Sequence, residues 1–166
     1  MRTIRRYIPE DLDGCVAVFD ANVPGFFCVD ERPSFVDFLM HHAVHWRYEV
    51  IEHAGKVVAC AGFRVSKDGT TASLAWGMVD PALQRQGLGT ALLQARLDAA
   101  ARIPSIRRVI LDTSQHTHGF YARFGFVILK VTPDGYGDRL DRLDMELLIS
   151  PQAPSRSQHF DDGIAD

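Results

Sequence analysis

The chain has 166 residues, 46% of them hydrophobic and 23% charged, with a net charge of −3. That length points to one domain with a core of its own. The mild acidity excludes broad electrostatic binding to nucleic acid, which needs a basic face, and no apolar run approaches the roughly 20 residues that span a bilayer. Cys15, Cys28 and Cys60 are odd in number and not spaced as metal ligands, so neither a disulfide framework nor a bound metal is expected. The first residues are basic but no long apolar segment follows, and Glu10, Asp11 and Asp13 come close behind, which fits neither a signal nor a transit peptide. The expected protein is cytoplasmic, with no nucleic-acid or membrane partner.

In chain order, residues 2–8 read as a strand. Pro9-Glu-Asp-Leu opens a helix with acids in its first turn, where the helix dipole favours them. Leu12, Val16 and Phe19 give it a buried face, and Asn22-Val-Pro-Gly ends it. A second helix is expected over Pro33 to Val44, with Phe35, Phe38 and Met40 in core spacing. Three strands follow, Trp46–His53, Lys56–Val65 and Thr70–Val79, joined by the short turns Ala54-Gly55 and Lys67-Asp-Gly, as antiparallel neighbours are. Gly77 inside the third marks a bulge or a close approach of a backbone or ligand. Leu88, Ala91, Leu92, Ala95 and Ala99 recur at helical spacing, and Pro104 closes that element. Arg107–Leu111 is a strand, His118–Phe124 a short helix, and Phe126–Val131 another strand. A polar loop is expected from Pro133 to about Arg142. The alternating Leu143–Ile149 is the last strand, and a mobile tail is expected over 151–166. The order of elements predicts an α+β fold, a mixed sheet with helices packed on it.

The most informative segment is Val79-Asp-Pro-Ala-Leu-Gln-Arg-Gln-Gly-Leu-Gly-Thr-Ala-Leu-Leu, where a strand ends, a glycine-rich turn follows and a helix begins. Free N–H groups at a helix start, together with the helix dipole, hold a phosphate. A P-loop is excluded because no Gly-Lys-Ser/Thr follows. A Rossmann turn has support from Gly87, Gly89 and Asp112, but Leu92 stands at the third glycine and antiparallel hairpins precede the turn. The third reading is the Gln/Arg-x-x-Gly-x-Gly/Ala turn of acyl-CoA-dependent N-acetyltransferases, which Gln84-Arg-Gln-Gly87-Leu-Gly89 matches. Downstream, Tyr121-Ala-Arg-Phe-Gly125-Phe126 gives Tyr-x-x-x-Gly-Phe. With both motifs in order, residues 2–149 resemble the GNAT (Gcn5-related N-acetyltransferase) superfamily. The resemblance implies a mixed, mostly antiparallel twisted sheet of about seven strands flanked by about four helices, in a domain spanning 1–150.

It also implies acetyl transfer from acetyl-CoA to a primary amine. By the resemblance, the backbone of Arg85, Gln86, Gly87, Leu88, Gly89 and Thr90, with Gln84, holds the pyrophosphate. The pantetheine arm pairs with the backbone of Met78 and Val79, between that strand and the Arg107–Leu111 strand. A backbone N–H near Met78 stabilises the oxyanion, a donor of the kind that contributes about 3 kcal/mol. Tyr121 protonates the leaving thiolate, as a phenol, with its ordinary pKa near 10, can at neutral pH. Where many relatives carry an asparagine this chain has Thr113-Ser114, and the Ser114 hydroxyl stands in. Many relatives place a basic glutamate on the meander strand; Thr70–Val79 contains no acid. That leaves Glu31, Asp112, His116, Asp138 or water to deprotonate the amine.

The acceptor, expected to be a small molecule attacking directly in a ternary complex, would sit between Phe26-Phe27, Asp30, Glu31 and Arg32 on one side and Tyr136 and Asp138–Arg142 on the other. Acids there attract a cationic amine, and arginines hold a carboxylate. Dimerisation is common in the superfamily, so a homodimer is a partner to test for. His41 and His45, one turn apart, lack the Glu of a zinc helix and fit a helix C-terminus. The rival functions are a non-catalytic acyl-CoA-binding regulatory module, motivated by the acid-free strand, and a dinucleotide-binding oxidoreductase.

Overall fold

The computed structural model describes residues 1–150; the expected tail lies outside the described residues. Seven strands form one sheet in the order β1-β2-β3-β4-β5-β7-β6. They are β1 (Arg2–Arg6), β2 (Glu49–His53), β3 (Lys56–Val65), β4 (Thr71–Val79), β5 (Arg108–Thr113), β6 (Val127–Gly137) and β7 (Leu140–Leu148). All neighbours are antiparallel except β4 and β5. That parallel pair is connected by α3 (Leu88–Ala101), the crossover a parallel pair requires. The other helices are α1 (Leu12–Ala21), α2 (Arg32–His41) and the short α4 (His118–Ala122). The α+β class and the mixed, mostly antiparallel sheet are as the sequence implies.

Two cores result. Cys15, Val18 and Phe19 of α1 and Phe35, Phe38 and Leu39 of α2 pack with Tyr48, Val50 and Cys60 on one face of the sheet. Leu93 and Ala100 of α3 pack with Phe63, Leu74, Val109, Leu111, Phe126 and Met145, and Leu88 and Leu92 of the same helix with Ile51, Ala59 and Ala61, the alternate residues of β2 and β3 that point to the other face. Some boundaries differ from expectation. Helix α2 stops at His41, and Met40 and Val44 are exposed. The chain turns out of the helix through Arg47 (φ 50°) so that Trp46 can stand edge-on to Phe38 at 5.5 Å and Tyr48 can enter the core. The expected polar loop at 133–142 is mostly strand. β6 and β7 form one long irregular hairpin whose tip is closed by Gly137 (φ 135°) and Arg139 (φ 58°). Polar residues suit that arm because β6 is an edge strand with solvent beside it.

Candidate active site

β4 and β5 stay paired only over Thr71–Ser73 against Arg108–Ile110, then part. β5 continues along β7, from Arg108 opposite Leu148 to Thr113 opposite Leu143. β4 continues along β3, but through a bulge: Met78 faces Cys60 and Ala75 faces Gly62, so Trp76 and Gly77 together oppose Ala61. Trp76 takes a left-handed φ of 48°, an uncommon conformation for so large a residue. The buried Tyr48 hydroxyl donates to its carbonyl at 2.7 Å, and the Asn22 amide donates to the Val79 carbonyl at 3.0 Å. The parted strands enclose a cavity of about 970 Å³, at the upper end of the range for small-molecule and cofactor sites.

One mouth of the cavity is the glycine-rich turn. Arg85 (φ 61°) and Gly87 (φ 82°) curl the chain into α3, and the first turn of that helix holds no acid. The first helical bond is Ala91 N–H to Gly87 carbonyl at 2.9 Å, so the preceding N–H groups point outward with the positive end of the dipole. Gln84, Arg85, Gly87, Leu88, Gly89 and Thr90 line the cavity, as do Met78, Val79, the buried Ser114 and Tyr121. Gln86 does not. It lies on the outer face, where Arg2 donates to both its carbonyl and its side-chain oxygen. The turn needs a backbone link at that position, and the amide side chain is held by β1 and not by the cavity.

Tyr121 stands midway along the cleft, its ring edge-on to Phe120 at 5.1 Å and Phe126 at 5.9 Å. Its hydroxyl oxygen lies 3.5 Å from where a Cβ on Gly77 would be. The far end of the cavity is acidic and aromatic. Glu31 and Asp112 line it with Phe26, Phe27, His116, Tyr136 and Arg142. Burial pushes the Glu31 carboxyl above its usual range and the negative Asp112 adds to this, against the Cys28 N–H it accepts at 2.9 Å. Tyr136 donates to Asp112, and burial first, then that carboxylate, raises its phenol. Arg142 stands 3.7 Å from Asp112 and 2.9 Å from Asp144. Asp30, Arg32 and Asp138 do not line the cavity; Arg32 is paired with Asp20 at 2.8 Å instead. Among the described residues no His, Cys, Asp and Glu cluster could hold a metal, and no helix is long and apolar enough to cross a membrane.

The chain matches the acetyltransferase (GNAT) family over residues 15–126. It belongs to that family. The GNAT fold and N-acetyltransferase activity follow, and the oxidoreductase reading falls on topology as well, since β4 follows an antiparallel β3 and not a βαβ start. No curated protein matches the chain. Many solved structures do. The ribosomal-protein-S18-alanine N-acetyltransferase of Escherichia coli is 24% identical, with a TM-score of 0.76 over 93% of this chain and 98% of its own. Ard1 of Thermoplasma volcanium is 22% identical, with a TM-score of 0.74 over 90% of this chain and 98% of its own. YncA of Salmonella typhimurium, solved with its cofactor acetyl-CoA, is 21% identical, with a TM-score of 0.71 over 92% of this chain and 96% of its own.

Two features of this site carry no motif in the sequence. Trp76, at the bulge, forms an aromatic wall with Phe27 at 6.1 Å and Phe35 at 5.0 Å. Arg96, a buried cation on α3, lines the cavity. Its signal was available, since position 96 falls four residues after Leu92 and eight after Leu88, on the apolar stripe of the helix.

Proposed function

We propose that this GNAT domain, residues 1–150, moves an acetyl group from acetyl-CoA to the primary amine of a small molecule, by direct attack in a ternary complex. The observation that carries the reading is the parting of β4 from β5, with an anion-binding helix start at one mouth and a carboxylate-lined pocket at the other. One cleft thus has room for both reactants in line. In this reading Arg85, Gly87, Leu88, Gly89 and Thr90 hold the pyrophosphate beside Gln84. The strand edge at Met78 and Val79 takes the pantetheine amides, with Ser114 facing it. Tyr121 is the acid for the departing sulfur, and Glu31 and Asp112 draw in the cationic amine. The acetyl-CoA bound to YncA supports the choice of donor.

The test is a thermal-shift comparison of acetyl-CoA, CoA and NADH, followed by CoA release over a panel of small amines and peptide N-termini. A ligand at 100 times its dissociation constant adds about 2.7 kcal/mol, roughly 5–10 °C for a domain of this size. A shift with both CoA species, none with NADH, and turnover with small amines is the expected outcome. Turnover confined to peptides would overturn the acceptor assignment, and no shift with CoA would overturn the donor site.

A further inference from the structure

Arg96 sits on the third turn of α3 and is 4% exposed. Its Nε donates to the Leu92 carbonyl at 3.3 Å. Its two terminal nitrogens have no hydrogen-bond partner, and among the described residues no carboxylate forms an ion pair with it. Those nitrogens are not sealed in protein either, since His53 Nδ1 is the buried side-chain nitrogen left without a partner among the described residues. They open into the cavity they help to line. The place is specific. A Cβ on Gly77 would lie 3.3 Å from Nη2, 3.4 Å from Nη1 and 3.5 Å from the Tyr121 hydroxyl oxygen. Guanidinium and phenol therefore converge on one spot beneath the bulge, and the missing side chain of Gly77 leaves them room.

Burying a cation without a counter-charge is costly, and an apolar residue would fill this position on the helix stripe at no such cost. Glu49 on β2 feels the charge at a distance but does not pair with it. No carboxylate within hydrogen-bond reach occupies the guanidinium fork, which leaves it free for an anionic ligand. A phosphate at the glycine-rich turn is not that ligand, because the fork lies at Gly77, beyond Met78 and Val79 from the turn. Two anions arise deep in the cleft during acetyl transfer, the oxyanion, for which a backbone N–H near Met78 is available, and the leaving sulfur, which is the one that Tyr121 serves and the fork beside it faces.

We infer that Arg96 holds the coenzyme A thiolate as it leaves, beside Tyr121. The inference rests on the acetyl-CoA reading above. The amine nitrogen bonds to the thioester carbon, and the C–S bond breaks with its electron pair going to sulfur. Tyr121 gives its proton to that sulfur, and the surplus proton on the amide nitrogen returns through solvent to the phenolate. Arg96 takes no part in these proton transfers. Its N–H groups face the negative charge first on sulfur and then on the phenolate oxygen.

The test is binding of CoA against S-methyl-CoA followed from about pH 7 to about pH 10, a range over which the CoA thiol passes towards its thiolate form. Wild type is expected to prefer CoA by roughly tenfold or more, as a charge-assisted hydrogen bond gives. Arg96→Met is expected to bind the two about equally, with kcat down roughly 100-fold and the KM for acetyl-CoA changed less than about threefold. Arg96→Lys should restore most of the preference, which a merely structural arginine would not require. Should Arg96→Met fail to fold, Arg96→Gln carries the same expectation. A folded neutral variant that keeps the preference overturns the role of Arg96 and leaves the acetyl-CoA reading standing, as does a wild type that binds both equally. A wild type that binds neither overturns both.

Discussion

Replacing Tyr121 with Phe removes one oxygen from the centre of the cleft. The ring contacts to Phe120 and Phe126 remain, at 5.1 Å and 5.9 Å in the parent. The hydroxyl has no hydrogen-bond partner among the described residues, so its loss leaves no protein group unsatisfied. Stability should therefore change by less than about 0.5 kcal/mol, or at most about 2 °C in Tm. Turnover should respond very differently. A positioned general acid contributes about 100-fold or more, which is about 2.7 kcal/mol of barrier. The KM for acetyl-CoA should stay within about threefold, because the hydroxyl acts on the departing sulfur and not on the bound ground state. The assay is CoA release followed with a thiol reagent, backed by single-turnover rates so that slow product release does not hide the chemical step. A kcat within about threefold of wild type, in both regimes, would refute the assignment. So would a large loss of kcat accompanied by a large fall in Tm, since that would make the hydroxyl a structural group.

Gly87→Ala keeps open space around the new methyl but forces a side chain into φ 82°, a strain of about 1–2 kcal/mol. If the turn yields, acetyl-CoA affinity measured by calorimetry should drop roughly tenfold, and an unchanged dissociation constant would count against a phosphate site there. Asp11 is buried and held below the usual carboxylate range by the Arg5 guanidinium, with help from the Ile8 N–H and against its own burial. Its contribution is present above the unfolded pKa and lost as pH falls through the folded one. Asp11→Asn should cost about 2 kcal/mol at pH 7, and the gap should narrow in thermal melts as pH falls below the ordinary carboxylate range; a constant gap would refute the pairing. Glu31 has the opposite sign. Its raised pKa makes the ionised form a liability that grows as pH rises, so Glu31→Gln should stabilise the fold at pH 7 by less than about 1 kcal/mol. The same change should raise the KM for a cationic acceptor and leave acetyl-CoA binding alone, and an unchanged acceptor KM would remove Glu31 from the acceptor pocket.

The parts of this protein that the sequence discloses are those set by local backbone demands. Gly87 and Gly125 both adopt left-handed φ, at 82° and 94°, so glycine is the natural residue at each and the motif is a direct print of the chain path. Phe126, 3% exposed, closes the second core against the Tyr121 ring, which is why the two recur at fixed spacing. The β6–β7 arm was illegible because an edge strand pairs on one side alone and its polar Pro133–Tyr136 segment shows no alternation. At Gln86 the motif names a backbone position, and the direction of the side chain depends on what lies outside the turn, here Arg2. Arg96 breaks an apolar stripe, a mark that sequence alone supplies, but its meaning depends on Gly77 and Tyr121, 19 and 25 residues away in the chain.

The cleft itself arises from competition between pairings. β4 is pulled along β3 and β5 along β7, and no pairing joins the two strands beyond Ser73. The bulge at Trp76–Gly77 increases the bend, and Tyr48 and Asn22 fasten it from one side of the sheet. Facing strand edges left open in this way carry unpaired N–H and C=O groups, which in a closed protein must find water or a partner. An extended molecule bearing amide groups, such as the pantetheine arm, satisfies them as an added strand would. The sheet thus forgoes its own hydrogen bonds in the one stretch where a ligand can supply them. Arg96 follows the same logic in charge, as a buried cation whose terminal nitrogens have no protein acceptor and converge with the Tyr121 hydroxyl beside Gly77.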